Sequence, residues 1–333
     1  EAQFDEVRAR GGDPKDFRVT TVKFFADGVV EGKTAFLKEP YAGEPDTGAR
    51  RGEPIWDTAR LAEAFRAVTE AGLQIHVHAI GDAAVAQALD ALEACTADGA
   101  RAAASRPYVP SAGCCDGARA GQAPHLRAAA SRPYNPSQGC RPYVPLRPVL
   151  THLHVVDPGD FPRFAQLGVV ASFQPFWHFK EPGWYDEIEA GHLGAARAEN
   201  AYPVASLTAH GVRVTFSGDY PASPVNDPFF AIDAAVTRNL ASGAPYDTPD
   251  IGDPDDPRWL RGAHERIPLA QAIEAYTIHG AYQLFREDDI GSLAPGKYAD
   301  FLVLDRDPFA LPPQDLDKVR VAETYRAGVL AAG

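Results

Sequence analysis

Chemistry in this 333-residue chain is sought first among the lysine, histidine and aspartate side chains that close its apolar runs. Lys23 lies inside VTTVKFF, residues 19–25. His76 and His78 end LQIHVH, residues 73–78, and His152 and His154 fall in a further run, residues 149–156. Asp219 follows residues 212–216 in the string FSGDYP. A two-residue spacing on a strand turns both histidines of a pair to one side. Neutral imidazole suits zinc and other first-row divalent ions. An aspartate beside it can ligate such an ion and also accept a proton from the water the ion activates. A bare ammonium is costly inside a protein. A neutral lysine amine that has been carboxylated is instead an anionic carbamate, able to bridge two metals. Each histidine taken singly is more often a satisfied core or surface residue. The order lysine, histidine, histidine, aspartate on successive strand ends is what argues for a metal site. Within the pairs, His154 reads as a structural or supporting member and His76 as intermediate.

The elements that must position these residues alternate. Residues 19–25, 73–78, 149–156, 168–173 and 212–216 are β-branched or aromatic runs and are predicted as strands. Residues 57–71 have apolar positions at helical spacing, an Asp suited to the N-cap and Gly72 as a stop. Residues 82–94, 158–166 and 195–210 read as further helices. Strands alternating with amphipathic helices imply βαβ units and a parallel sheet. Without a glycine-rich dinucleotide fingerprint, a (β/α)8 barrel is favoured over a Rossmann sheet, and barrels carry their chemistry at the C-terminal strand ends. Residues 290–305, with a Pro-Gly turn, and 321–330 look like hairpins of a small β element. RAAASRPYVPSAGC at 101–114 recurs as RAAASRPYNPSQGC at 127–140, so 98–146 is predicted to be a flexible duplicated insertion. Cys95, Cys114, Cys115 and Cys140 have no metal-site spacing and look incidental, and His125 reads as exposed.

A formal net charge of −13 repels a phosphate backbone, which argues against nucleic-acid binding. No apolar run approaches the roughly 18 residues that span a bilayer, and no signal peptide is visible. The chain starts at Glu1 and contains no methionine, so a processed product or a piece of a longer one is expected.

The motifs VKFFADG (22–28), HVHAIGDAAV (76–85), LTHLHVVDPGDFPRFAQLGVVASFQP (150–175), TFSGDYPAS (215–223), AAVTRN (234–239) and GSLAPGKYADFLVLD (291–305) together resemble the amidohydrolase superfamily. Within it the chain is similar to the YtcJ-like group that includes N-substituted formamide deformylases. The resemblance covers nearly everything outside the insertion. It implies the C-terminal part of a TIM-type barrel, strands four to eight, in residues 1–285, with residues 286–333 the C-terminal part of a small β-sandwich. It implies that Lys23 is the fourth-strand lysine, carboxylated in many members, and that His78 and His152 are the fifth- and sixth-strand ligands. Asp219 becomes the eighth-strand ligand and general base. Asp27, His76, Gln174, His178 and Arg238 are candidates to line the pocket, Arg238 serving equally well as a partner for a carboxylate. Asp82 reads better as a helix cap. The aromatic string FQPFWHF suggests an apolar or aromatic substrate group. The implied reaction is hydrolysis of a C–N bond in a small amide or formamide by water activated on one or two divalent ions, zinc first among them. A homodimer and a cytoplasmic location are expected. Two departures stand out: no first-strand HxH pair precedes Lys23, and FSGD replaces the more usual GSD order. They leave open a non-catalytic fragment or decayed copy, and a metal-assisted lyase or isomerase is a third reading.

Overall fold

The protein is described, in a computed structural model, over residues 19–44, 49–104, 147–223, 225–240, 242–250 and 252–332. The repeated segment's second copy, His125, Cys114, Cys115 and Cys140 lie outside the described residues. By internal contacts the chain divides into two units, residues 1–95 with 146–333, and residues 96–145. Of the second, only residues 96–104 are described.

Five parallel strands form the main sheet: β1 (Thr21–Phe25), β2 (Gln74–Ala79), β3 (Val149–His152), β4 (Val170–Phe173) and β5 (Arg213–Phe216). Their spatial order is their chain order, each bonded to the next. A doubly wound sheet reverses direction partway across; this one winds steadily, as a barrel wall does.

Register explains how the sequence divides the wall into two faces. Phe24 pairs with Val77, Val77 with Leu150, Leu150 with Ala171 and Ala171 with Val214, a row of buried apolar side chains. Helix α1 (Thr58–Glu70) packs on this side. Asp57 caps it by accepting from the Ala59 and Arg60 amides, and Leu61, Phe65 and Val68 are buried at turn spacing. Burying each of these side chains is worth about 1.5–3 kcal/mol. The opposite face carries two other rows. One runs Lys23, His76, Val149, Val170, Arg213; the next runs Phe25, His78, Thr151, Ser172, Thr215. The strand period of two therefore puts the polar and titratable residues on a single face.

Further helices follow: α2 (Asp82–Ala104), α3 (Phe161–Gln166), a π-helical turn (Tyr185–Glu189) running into α4 (Ala190–Leu193), α5 (Ala195–Glu199), α6 (Val204–Ala209), α7 (Pro228–Thr237), α8 (Leu269–Tyr276) and α9 (Ile278–Gln283). Two sequence expectations about the barrel wall change. The helix predicted over 195–210 is two helices, because Tyr202 takes a left-handed φ of 55° and Pro203 cannot continue an incoming helix. The strand predicted over 149–156 ends at His152, where φ is 77°, followed by Leu153 at 51°.

The tail forms an antiparallel sheet, β6 (Phe301–Leu304), β7 (Val321–Arg326) and β8 (Val329–Ala332). The hairpin expected near 321–330 turns at Ala327 and Gly328, both left-handed, the geometry that suits a two-residue loop. In 290–305 only residues 301–304 are extended, so no second hairpin forms there. Among the described residues no helix is long and apolar enough to cross a membrane.

Candidate active site

A cavity of about 530 Å3 opens at the C-terminal ends of the strands, and Lys23, His78, His152 and Asp219 all line it. Each arrives by a different local device. Lys23 projects from the concave face of β1, where burial lowers its pKa to about 8 and Asp219 pulls it back up. Its amine is thus close to half neutral in mildly basic solution. His78 lies one row higher, between the Phe25 ring at 4.8 Å and the His152 ring at 4.6 Å. Its Nε2 stands 2.9 Å from the Gly28 carbonyl. A carbonyl only accepts, so Nε2 carries the proton and Nδ1 keeps a free lone pair.

His152 is set in the opposite tautomer. Its Nδ1 is 2.9 Å from Gln174 Oε1, an acceptor, so Nδ1 donates and Nε2 is the free nitrogen. Gln174 is itself fixed, donating to Ser217 Oγ at 2.8 Å and Thr151 Oγ1 at 3.2 Å. The left-handed backbone at His152 is what brings this ring out of the alternating pattern. Such a conformation costs about 1–2 kcal/mol in a non-glycine residue, and strain of this kind gathers at functional sites. Asp219, exposed at the cavity rim, is left-handed as well, at 51°.

Both imidazoles are held neutral. Burial lowers the pKa of His152 to about 3, helped by His78 and Lys23, and burial also lowers that of His78. Neutral rings with free nitrogens, a lysine of weakened basicity and a carboxylate are donors that suit a divalent cation. They share one cavity without forming a finished coordination sphere: among the described residues no three His, Cys, Asp or Glu side chains are grouped as metal ligands.

The remaining candidates separate. Gln174, 2% exposed, supports His152 and does not reach the cavity surface. His76 pairs with Lys23 in register, one row below His78, and burial lowers its pKa to about 4. Asp27 is a loop staple: its carboxylate accepts from the Ile80, Gly81 and Phe36 amides at 2.8–3.0 Å. Burial raises its pKa to about 7 against those three bonds, and His78 Nε2 lies 3.8 Å away. His178 is fully buried, stacked on Tyr202 at 5.0 Å, and is not on the cavity wall. The structure gives Arg238 a different role from a substrate anchor or a carboxylate partner. It ends α7, is fully buried, and donates to the carbonyls of Arg261, Tyr202 and Ala201. Asp82 is the first residue of α2 and not its cap: it accepts from the Ala83 and Lys38 amides, and the Phe36 carbonyl takes the Ala83 and Ala84 amides.

Sequence reasoning pointed to the aromatic residues of the cavity's far side and missed its charged ones. His154 stacks on Tyr202 at 4.5 Å and lies 3.0 Å from Glu189, whose carboxylate also pairs with the fully buried Arg261. Glu31, Glu181 and Glu189 line the cavity with Trp177, Phe179 and Trp184. The π-helical turn that carries Glu189 has no sequence signature, and Arg261 comes from far along the chain. A π-turn in a functional loop is common enough to have served as a signal once the structure was known.

The profile of the amidohydrolase family matches residues 2–106 and 100–332. Over 307 residues the chain is 28% identical to the Bacillus subtilis (strain 168) protein YtcJ, which carries an amidohydrolase name, covering 92% of this chain and 46% of that protein. It is 30% identical over 181 residues to the N-substituted formamide deformylase of Arthrobacter pascens, covering 54% of this chain and 30% of the enzyme. The chain therefore spans less than half the length of these curated relatives. An uncharacterized metal-dependent hydrolase from Pyrococcus horikoshii superposes with a TM-score of 0.63 at 22% identity, over 94% of this chain and 50% of that one. That likeness speaks for the fold, a TIM-barrel-like α/β architecture in agreement with the steadily wound sheet. With the family profile matched along almost the whole chain and YtcJ and the deformylase as its relatives, the chain belongs to the amidohydrolase family, in its YtcJ-like group.

Proposed function

We propose that the chain is the catalytic part of a metal-dependent hydrolase that cleaves the C–N bond of a small amide or formamide. The observation that carries this reading is the pair of locked tautomers: His78 Nδ1 and His152 Nε2 are both left free beside Lys23 and Asp219. Lys23, His78, His152 and Asp219 would hold one or two divalent ions, zinc suiting the nitrogen donors best. Such an ion supplies an acidified water and a Lewis acid for the substrate carbonyl. The chain's own residues do the rest. Gln174 keeps the His152 ring turned and in the required tautomer. The Asp219 carboxylate takes the proton from the attacking water and returns it to the leaving nitrogen, so that water and amide become carboxylate and amine. Trp177 and Phe179 line the cavity and help exclude bulk water from it. Residues 1–285 are read as the wall of strands four to eight of a barrel and 286–333 as part of a small β-sandwich. Neither nucleic acid nor a membrane is a partner in this reading, and a homodimer is compatible with it. A second reading, in which this chain alone is inactive, is favoured by the missing three-ligand cluster among the described residues.

Metal analysis separates the two. The purified chain is incubated with zinc and bicarbonate, freed of excess and compared with Asp219→Asn, His78→Ala and His152→Ala. Retention of about one ion per chain, falling in each variant, is expected of a site built from these ligands. No retained zinc, or retention indifferent to all three changes, refutes it.

A further inference from the structure

The outer half of the cavity has a chemical character of its own. It is built largely by the segment after β4, which supplies Trp177, Phe179, Glu181, Trp184 and Glu189. The loop after β1 adds Glu31, and Tyr202 adds another ring. Of the three glutamates, only Glu189 has an ion pair among the described residues, with the buried Arg261, whose charge also reaches Glu181 at longer range. Among the described residues no hydrogen bond or ion pair to the side chain of Glu31 or Glu181 is found. The nearest cation in sequence, Lys180, is turned elsewhere, 3.3 Å from Glu199 and 5.2 Å above the Tyr185 ring. Lys23 belongs to the strand side of the cavity and is coupled to Asp219.

A partly buried carboxylate without a hydrogen bond or close ion pair, beside aromatic rings, is a costly arrangement. Glu181 reports the cost, since burial raises its pKa although the Arg261 charge pulls it down. A substrate cation relieves it twice, through charge attraction in a low-dielectric cavity and through the negative faces of the tryptophan rings. Beside the cavity lies a buried polar atom without a hydrogen bond. His154 is 7% exposed and lines the cavity, yet its Nε2 makes no hydrogen bond; Glu189 is close enough, at 3.0 Å, but off axis. A volume of about 530 Å3 accommodates a benzyl-sized amide with a charged substituent. The chain's net charge of −13 draws cations toward it at long range.

We propose that the site selects amides that carry a cationic ammonium group, held on the Glu181–Trp184 side of the cavity, over neutral and anionic amides. This rests on the reading of the cavity as a C–N hydrolase site, so the test reads binding and cleavage separately. Two isosteric probes are compared on the zinc-loaded full chain: N-[4-(trimethylammonio)benzyl]formamide and the neutral N-(4-tert-butylbenzyl)formamide. Affinity is read from tryptophan fluorescence and calorimetry, and cleavage from formate release. The cationic probe should bind about tenfold more tightly, an advantage in the range of a desolvated cation–aromatic contact with a carboxylate beside it. Glu181→Gln and Trp184→Leu should each shrink the ratio, as should raising the salt from low to high. Equal affinities in the unaltered chain, a ratio untouched by either substitution, or binding of neither probe would each overturn the proposal. A tenfold binding preference with no formate released would uphold cation selection and count against C–N hydrolysis. Formate released equally from both probes, with equal affinities, would do the reverse.

Discussion

Gln174 offers the sharpest test of how the site is held together. Its side chain is 2% exposed and makes three hydrogen bonds, to His152 Nδ1, Ser217 Oγ and Thr151 Oγ1. Gln174→Leu keeps most of the volume, so a cavity contributes little. Each lost bond removes about 0.5–1.5 kcal/mol net, and a buried donor left without a partner costs about 1–3 kcal/mol. The two hydroxyls can turn to other acceptors, whereas the His152 Nδ1 proton cannot without a change of tautomer. The loss of stability should therefore be about 2–4 kcal/mol, read as a lower urea midpoint by tryptophan fluorescence. A second effect is independent of folding. With Nδ1 released, His152 can move its proton to Nε2 and lose the free lone pair offered to a cation. Zinc affinity, measured against a competing chelator, should drop about 10–100-fold. Gln174→Glu separates the two effects, because it keeps the acceptor facing His152 and gives up both donors. It should lose stability while holding zinc nearly as well as the unaltered chain. An unchanged urea midpoint together with unchanged zinc affinity in Gln174→Leu would refute the bonding scheme, and with it the tautomer argument.

The remaining expectations follow from buried groups away from the strand ends. Arg238→Ala strands the carbonyls of Ala201, Tyr202 and Arg261, so thermal stability should fall by about 3 kcal/mol or more. Amide-probe affinity of the protein that remains folded should not change; a loss of affinity with intact stability would restore Arg238 to the substrate pocket. Asp233, buried in α7, has its pKa raised to about 8, first by burial and then by Asp317. Its folded pKa exceeds the unfolded one, so the folded state binds the proton more tightly. The contribution is fully present in acid and is lost as pH rises from about 4 through about 8. Asp233→Asn should flatten that part of the pH–stability profile, and parallel profiles for the two proteins from pH 5 to 8 would show that the carboxyl is not buried in the protonated form.

What the sequence made legible was whatever obeys a short period. Strand runs, the Asp57 cap and the Gly72 stop are local, and so is the alternation that places Lys23, His76 and His78 on one face. The meeting of Lys23, His78, His152 and Asp219 in one cavity was legible because parallel strands with sequential neighbours deliver chain order directly as spatial order. What stayed hidden depends on backbone irregularity or on distant partners. Alternation alone assigns His152 to the row of Ala79, its register partner, which faces the helices. The left-handed turn at His152 and Leu153 reverses that assignment, and no propensity of histidine or leucine announces it. The jobs of Asp27 and Arg238 were hidden for a related reason. Each satisfies backbone groups supplied by other elements, and those groups have no identity in the sequence.

The same contrast bears on why the strand side and the outer side of the cavity differ. On the strand side, register fixes Lys23, His76 and His78 rigidly, and buried polar groups such as Gln174 can be satisfied by neighbours one row or one strand away. That suits ligands whose nitrogen positions must hold to within a fraction of an ångström. On the outer side, Glu31, Glu181 and Trp184 sit on connecting segments whose geometry no register controls. Charge attraction and ring faces tolerate such looseness, because both fall off gently with distance. A hydrolase built this way can keep its chemistry constant while its connecting segments vary the substrate. Exchanging residues 181–184 should therefore change which amide binds and leave zinc retention alone, whereas a change at Gln174 should do the opposite.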